Sequence, residues 1–152
     1  MTLRHALAAT VLFAGLFQAV SPAAGDRCPP TRPDAEGPFY RPSAPVREST
    51  GSGLVIEGTV RTAGSCAPVA GARVEWWQAG PSGQYDDDHR GARVTGSDGR
   101  FRIETDVPPP YQGRPPHVHF KVFAAGHRTL TTQVYPEAGR TTVPIDFVLT
   151  AD

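Results

Sequence analysis

Beyond residue 53, apolar and polar positions alternate along much of the chain. Leu54, Ile56 and Val60 share one face of the run 54–60, and Phe101 and Ile103 alternate with charged residues over 100–105. Residues 72–79 carry Val74, Trp76 and Trp77, residues 118–124 are apolar and β-branched, and 129–135 and 144–150 complete the set of predicted strands. Gly, Pro and Ser clusters between them mark turns, with Ser97-Asp98-Gly99 the clearest hairpin signal. No long 3.6-residue period follows the first two dozen residues. The pattern predicts an all-β fold, an antiparallel β-sandwich over 54–152. Residues 25–53 are rich in Pro, Ser and Gly with little periodicity, and are expected to form an extended N-terminal arm that wraps the core. Adjacent Trp76 and Trp77 must face opposite sides of their strand, one in the core and the other partly exposed or at an interface.

Composition narrows the function classes. The 152 residues suffice for one domain, and 16 Gly with 16 Pro favour short strands joined by turns. Fifteen basic and fifteen acidic residues cancel and no basic run stands out, which argues against a nucleic-acid partner or an anionic membrane surface. Residues 1–24 have a short basic start (Arg4, His5), an apolar run over 6–20, and then Ser21-Pro22-Ala23-Ala24. That is the pattern of a secretory signal peptide, too short for a comfortable transmembrane helix. It predicts an exported protein, periplasmic or secreted, with no membrane attachment once cleaved. The two cysteines, Cys28 and Cys66, both lie in the exported part, where such a pair often closes a disulfide. It would tie the arm to the loop after the first strand.

The candidate chemistry centres on His117-Val118-His119. Histidines at i and i+2 of a β-prone run point to one face, so both imidazoles can reach one metal ion. Tyr85 and Tyr111 lie in loop-like sequence before them. Two His with two Tyr are a poor zinc set, since zinc draws on Cys, His, Asp and Glu. They suit a hard, oxidised metal acidic enough to bind phenol as phenolate, which points to non-haem Fe(III). A copper site would need a third soft or imidazole ligand, and none is evident. His89 and His127 stand alone in turn-like sequence and are expected to be solvated, as is the acidic run at Asp86, Asp87 and Asp88.

The stretch Pro110-Tyr111-Gln112-Gly113-Arg114-Pro115-Pro116-His117-Val118-His119 resembles the iron-binding segment of the intradiol ring-cleavage dioxygenases, which include the catechol, hydroxyquinol and protocatechuate 3,4-dioxygenases. Further segments match in order: Glu36-Gly37-Pro38-Phe39-Tyr40, the run 68–79, Gly83-Gln84-Tyr85, the run 95–101, and Leu130-Thr131-Thr132-Gln133. The resemblance runs from about Thr31 to the end. It implies that Tyr85, Tyr111, His117 and His119 bind Fe(III). Tyr111 would leave the metal and act as a base toward the substrate. Arg114 would face the substrate and stabilise charge developing on its ring, and Gln133 would help orient the site. Tyr40 is read first as an anchor of the arm. Catechol and hydroxyquinol members carry an additional N-terminal helical region for which this chain has no room, so their pocket-lining residues are not carried over.

The resulting expectation is an exported Fe(III) enzyme that uses O2 to cleave a catechol-type aromatic diol between its hydroxylated carbons, giving a muconate-type diacid. The sequence leaves a homo-oligomer open and does not specify the ring substituents. The alternative is a non-catalytic exported β-sandwich binding module that retains a metal site, because fold alone does not settle function. The complete ligand set separates the two, since a binding module has no reason to keep it.

Overall fold

The computed structural model describes residues 28–152, so the expected signal peptide lies outside the described residues. Among the described residues nine strands build two sheets: β1 (Ser49–Thr50), β2 (Gly53–Thr62), β3 (Arg73–Trp77), β4 (Arg90–Val94), β5 (Arg100–Asp106), β6 (Val118–Phe123), β7 (Leu130–Val134), β8 (Thr142–Pro144) and β9 (Phe147–Leu149). One sheet has the order β1-β5-β2-β8, with β9 also pairing β2, and the other has the order β4-β3-β6-β7. The all-β sandwich is the fold the alternation implies. Leu54, Ile56, Phe101 and Ile103 from one sheet meet Val74, Trp76, Val118, Phe120 and Val122 from the other in a single buried cluster. Each such side chain contributes about 1.5–3 kcal/mol by leaving water. A buried polar chain closes one end of the core: Trp76 Nε1 donates to Thr50 Oγ1 at 2.8 Å, Thr50 to Thr105 Oγ1 at 2.9 Å, and Thr105 to Gln78 Oε1 at 3.1 Å.

Several details differ from the sequence expectation. The four-stranded sheet is antiparallel throughout, but β1, β8 and β9 join the other sheet by short parallel pairings. The expected strand over 144–150 is interrupted, because Ile145 N bonds to Glu57 O and Asp146 turns its carboxylate onto Thr59 N at 2.8 Å. The turn at 97–99 is present, but it carries the chain from β4 in one sheet to β5 in the other rather than closing a hairpin. β4 was not anticipated, since Arg90-Gly91-Ala92-Arg93-Val94 lacks an apolar alternation. Gly91 belongs there because a Cβ at that position would stand 2.4 Å from the Trp76 ring.

The arm determines where a site can form. It starts beside β9, where Thr31 N bonds to Val148 O, and meets β7 where Asp34 N bonds to Thr131 O at 3.0 Å. From there it crosses the outer face of the four-stranded sheet. Val46 bridges Ala92 at the far edge, and β1 then joins the other sheet. Cys28 and Cys66 come to bonding distance with Cα atoms 5.4 Å apart, within the range a disulfide spans.

Candidate metal centre

Strand register sets the site. Trp77 on β3 pairs with His119 on β6, which pairs with Gln133 on β7, so these three side chains form a row across one face. Val118, Phe120 and Val122 point into the core, so the pleat turns His117, His119 and Lys121 outward. This outer face is not solvated, because the arm roofs it. Gln133 Nε2 donates to Ala35 O at 2.5 Å, Glu36 pairs with Lys121, and Tyr40 Oη donates to Glu75 Oε2 at 3.0 Å. His117 and His119 are each only 2% exposed. At Gly37 the arm lies against His119: φ is 72° and a Cβ would stand 3.3 Å from His119 Cε1. A residue without a side chain fits both demands.

Three ligand-type atoms converge beneath that roof. Tyr85 Oη lies 3.2 Å from His117 Nε2 and 3.3 Å from His119 Nε2. Donor atoms that share one ion at about 2.1 Å each stand about 3.2 Å apart when about 100° separates them, so this spacing fits a metal between them. His117 Nδ1 lies 2.8 Å from Pro115 O, which fixes its proton there and leaves Nε2 as the lone pair facing Tyr85. His119 Nδ1 is buried with no hydrogen-bond partner among the described residues. The Ala35 carbonyl nonetheless favours a proton on this ring. Burial, followed by the neighbouring His117, pulls the His119 pKa down to about 4, so the ring is neutral and able to ligate at neutral pH. Burial first and the nearby Tyr111 second push Tyr85 up to about 12. Without a cation it keeps its proton. A strongly acidic metal would displace it. Among the described residues no three His, Cys, Asp or Glu side chains form a metal-holding group, so no zinc-type set competes.

Tyr111 reaches the same place by a different route. Tyr111 and Arg114 bond to each other through both backbone groups, Tyr111 N to Arg114 O at 3.1 Å and Arg114 N to Tyr111 O at 2.9 Å. Gln112 (φ 48°) and Gly113 (φ 78°) form the two-residue tip, the positive-φ pair that a tight hairpin turn requires. Tyr111 and Arg114 are therefore a directly opposed pair with side chains on one side. Tyr111 stands edge-on to Tyr85 with ring centroids 5.2 Å apart, and its Oη accepts from Gln112 Nε2 at 3.2 Å. A cavity of about 190 Å3 is bounded by Gly37, Pro38, Phe39, Tyr85, Tyr111, Gln112, Arg114, His117 and His119. Arg114 is the one cationic side chain of that lining. A larger concavity of about 510 Å3 lies elsewhere, beside Glu57, Arg93, Arg100 and Arg102. It holds none of the ligand-type convergence, and Arg93 and Arg102 there are paired with Glu48 and Glu57.

The structure thus brings Tyr85, Tyr111, Arg114, His117 and His119 around one cavity and places Gln133 just behind it, its Oε1 2.6 Å from Arg114. Other expectations need correction. Trp77 is not exposed. It lies between Tyr40 and His119, stacked on the imidazole at 5.0 Å and 12°. His89 is not simply solvated. Its Nδ1 is 2.6 Å from Asp86 and its Nε2 3.3 Å from Asp106, clamping the base of the loop that carries Tyr85. His127 shares a hydrogen bond with Thr62 Oγ1 at 2.9 Å. Sequence reasoning also missed Phe39, which stacks flat on Tyr85 at 4.3 Å, and the pair Asp34 and Tyr135. Tyr135 follows Gln133 by two residues and so shares its strand face, a signal that was available. The Asp34 carboxyl is held below its ordinary pKa by the Ala35 N–H and then by the Tyr135 hydroxyl.

No family model matches the chain. Chlorocatechol 1,2-dioxygenase of Cupriavidus pinatubonensis is 35% identical over a 141-position alignment covering 70% of this chain and 55% of that enzyme. The chain spans about half the length of the curated relatives it matches. Among solved structures, the intradiol ring-cleavage dioxygenase of Tetranychus urticae superposes with a TM-score of 0.68 at 25% identity, covering 73% of this chain and 66% of that one. The dioxygenase domain of a dioxygenase–carbohydrate-binding fusion from Streptomyces sp. SirexAA-E superposes with a TM-score of 0.72 at 33% identity, over 81% of this chain and 99% of that domain. Likeness of that extent spans an entire dioxygenase domain, and on it the chain belongs to the intradiol ring-cleavage dioxygenase family.

Proposed function

We propose that this chain holds ferric iron with Tyr85, Tyr111, His117 and His119 and uses O2 to open a catechol-type ring between its two hydroxylated carbons, giving a muconate-type diacid. The observation that carries this reading is the convergence of Tyr85 Oη on both imidazole Nε2 atoms at the wall of a small cavity with one cationic side chain. Two phenolates and a hydroxide would balance the charge of Fe(III), so the centre could lie under the arm at modest desolvation cost. When bound, ferric iron supplies Lewis acidity that draws electron density through a catecholate and makes its ring reactive toward O2.

The chain's own residues do the rest. At about 190 Å3 the cavity is below the roughly 300–1,000 Å3 of sites for drug-sized ligands, as suits a single ring. Phe39 and Gly37 border the cavity on the arm side. Tyr111 Oη, on a hairpin and held by Gln112, is placed to take a proton from a substrate hydroxyl. Tyr85, packed flat on Phe39 and against both histidines, stays in place. Arg114 presents its guanidinium charge to negative charge building on the ring.

The purified mature protein is expected to contain stoichiometric iron and to be red to brown, since tyrosinate bound to ferric iron absorbs in the visible. Zinc or copper at full occupancy, with no iron uptake on reconstitution, would contradict the reading.

Export is part of the same proposal. It is supported by the signal-like pattern over residues 1–24 and by Cys28 and Cys66 standing at bonding distance. A bond across their sequence separation of 38 would contribute on the order of 4 kcal/mol. Intact mass of the non-reduced exported protein should show no free thiol. Reduction should lower its thermal stability. Two alkylatable thiols in the native secreted protein would rule the bond out.

A further inference from the structure

We propose that Tyr135 is a positioning residue for Arg114: anchored on Asp34, its hydroxyl accepts a hydrogen bond from the guanidinium and so turns the remaining guanidinium N–H groups toward the cavity. This rests on the ring-cleavage reading of the site and adds a residue to it.

The hydrogen bonds fix the arrangement. One terminal nitrogen of Arg114, Nη2, donates to Gln133 Oε1 at 2.6 Å and to Tyr135 Oη at 2.9 Å. Its two hydrogens are then used. Nε and Nη1 carry the other three N–H groups and find no acceptor among the described residues, while the side chain lines the cavity. The Tyr135 hydroxyl has a single proton. Asp34 Oδ2 at 2.8 Å and Gln133 Oε1 at 3.0 Å are both in reach, and the carboxylate is the stronger acceptor. The proton therefore goes to Asp34 and leaves a lone pair for Arg114.

Gln133 is oriented in the same way, since its Nε2 donates to Ala35 O and its Oε1 must face Arg114. Both acceptors of Nη2 are thus set by consecutive residues of the arm, Asp34 and Ala35. The arm is fixed in turn by the bond from Asp34 N to Thr131 O. This matters because the arginine's own support is slight. Its backbone belongs to a hairpin whose tip, Gln112 and Gly113, is exposed, and its side chain is long and flexible. Without the clamp the guanidinium could swing out with the tip. Tyr135 is 42% exposed, and its ring lies 6.0 Å from that of His117, so Tyr135→Phe removes the hydroxyl and leaves the packing.

The test compares iron-loaded wild type, Tyr135→Phe, Arg114→Ala and the double variant with catechol. Tyr135→Phe is expected to keep its iron and visible band and to lose kcat by about tenfold, with KM moving less, as loss of a hydrogen bond to a charged group implies. In the Arg114→Ala background the same change should cost less than about twofold, because its only route of action is gone. A loss of equal size in both backgrounds would overturn the proposal, since Tyr135 would then act on substrate or fold directly. So would full activity of the single variant. A second readout does not depend on turnover. In gallium-substituted protein, which is diamagnetic, NMR of the guanidinium groups should show slow Cζ–Nη rotation for Arg114 and fast rotation after Tyr135→Phe. Unchanged rotation would overturn the clamp. If wild type opens no ring, the ring-cleavage reading fails, and this measurement still decides the role of Tyr135.

Discussion

Arg114→Ala is expected to retain iron and colour while losing catechol turnover by about 100- to 1,000-fold, the usual cost of removing a preorganised donor to developing charge. Iron should remain because a guanidinium does not bind hard cations, and the convergence of Tyr85, His117 and His119 does not involve it. The hairpin should also survive, since its turn is held by backbone bonds and by the positive φ of Gln112 and Gly113. What disappears is the one cationic side chain lining the cavity that, on the proposed reading, would hold a doubly deprotonated diol. Turnover, iron content and visible spectrum measured side by side decide the matter. Near-normal turnover in the iron-loaded variant would make Arg114 a structural residue.

The two tyrosines should part company when each becomes phenylalanine. Tyr85 sits at the convergence, against both Nε2 atoms and under Phe39. Tyr85→Phe should weaken iron retention by more than the roughly 10- to 100-fold that loss of an outer-shell partner costs a metal site, and bleach most of the colour. Tyr111 Oη has Gln112 as its hydrogen-bond partner and stands at the base of an exposed tip. Tyr111→Phe should keep more of the iron and slow turnover by about 100- to 10,000-fold, the range for loss of a general base. Equal iron loss and equal rate loss in the two variants would contradict these separate roles.

The divide between what the sequence revealed and what it hid follows contact range. Leu54, Ile56, Phe101 and Ile103 announced their strands because alternation is a local property. His117 and His119 announced a shared face for the same reason, and Tyr111 and Arg114 lie within a few residues of them. β4 was hidden because its fit depends on Gly91 against Trp76, a contact no local pattern encodes. The parallel partners of β2 and β5 were hidden likewise, since strand order is decided across the whole chain. The roof of the site was least legible. Ala35 to Gln133, Asp34 to Tyr135 and Glu36 to Lys121 span some 85 to 101 residues in sequence. Their residue types are ordinary in a Pro-rich segment. His89 was misread because its two carboxylate partners come from a loop and from the end of β5, which only the fold brings together.

The identity of the product tests the ring-cleavage reading most directly. Iron-loaded mature protein is supplied with catechol and O2, and the ring-opened compound is determined by mass spectrometry and NMR. The expected product is a muconate-type diacid, from cleavage between the two hydroxylated carbons. Cleavage beside the diol instead, or no ring opening by protein that carries its full iron and its tyrosinate colour, would contradict it.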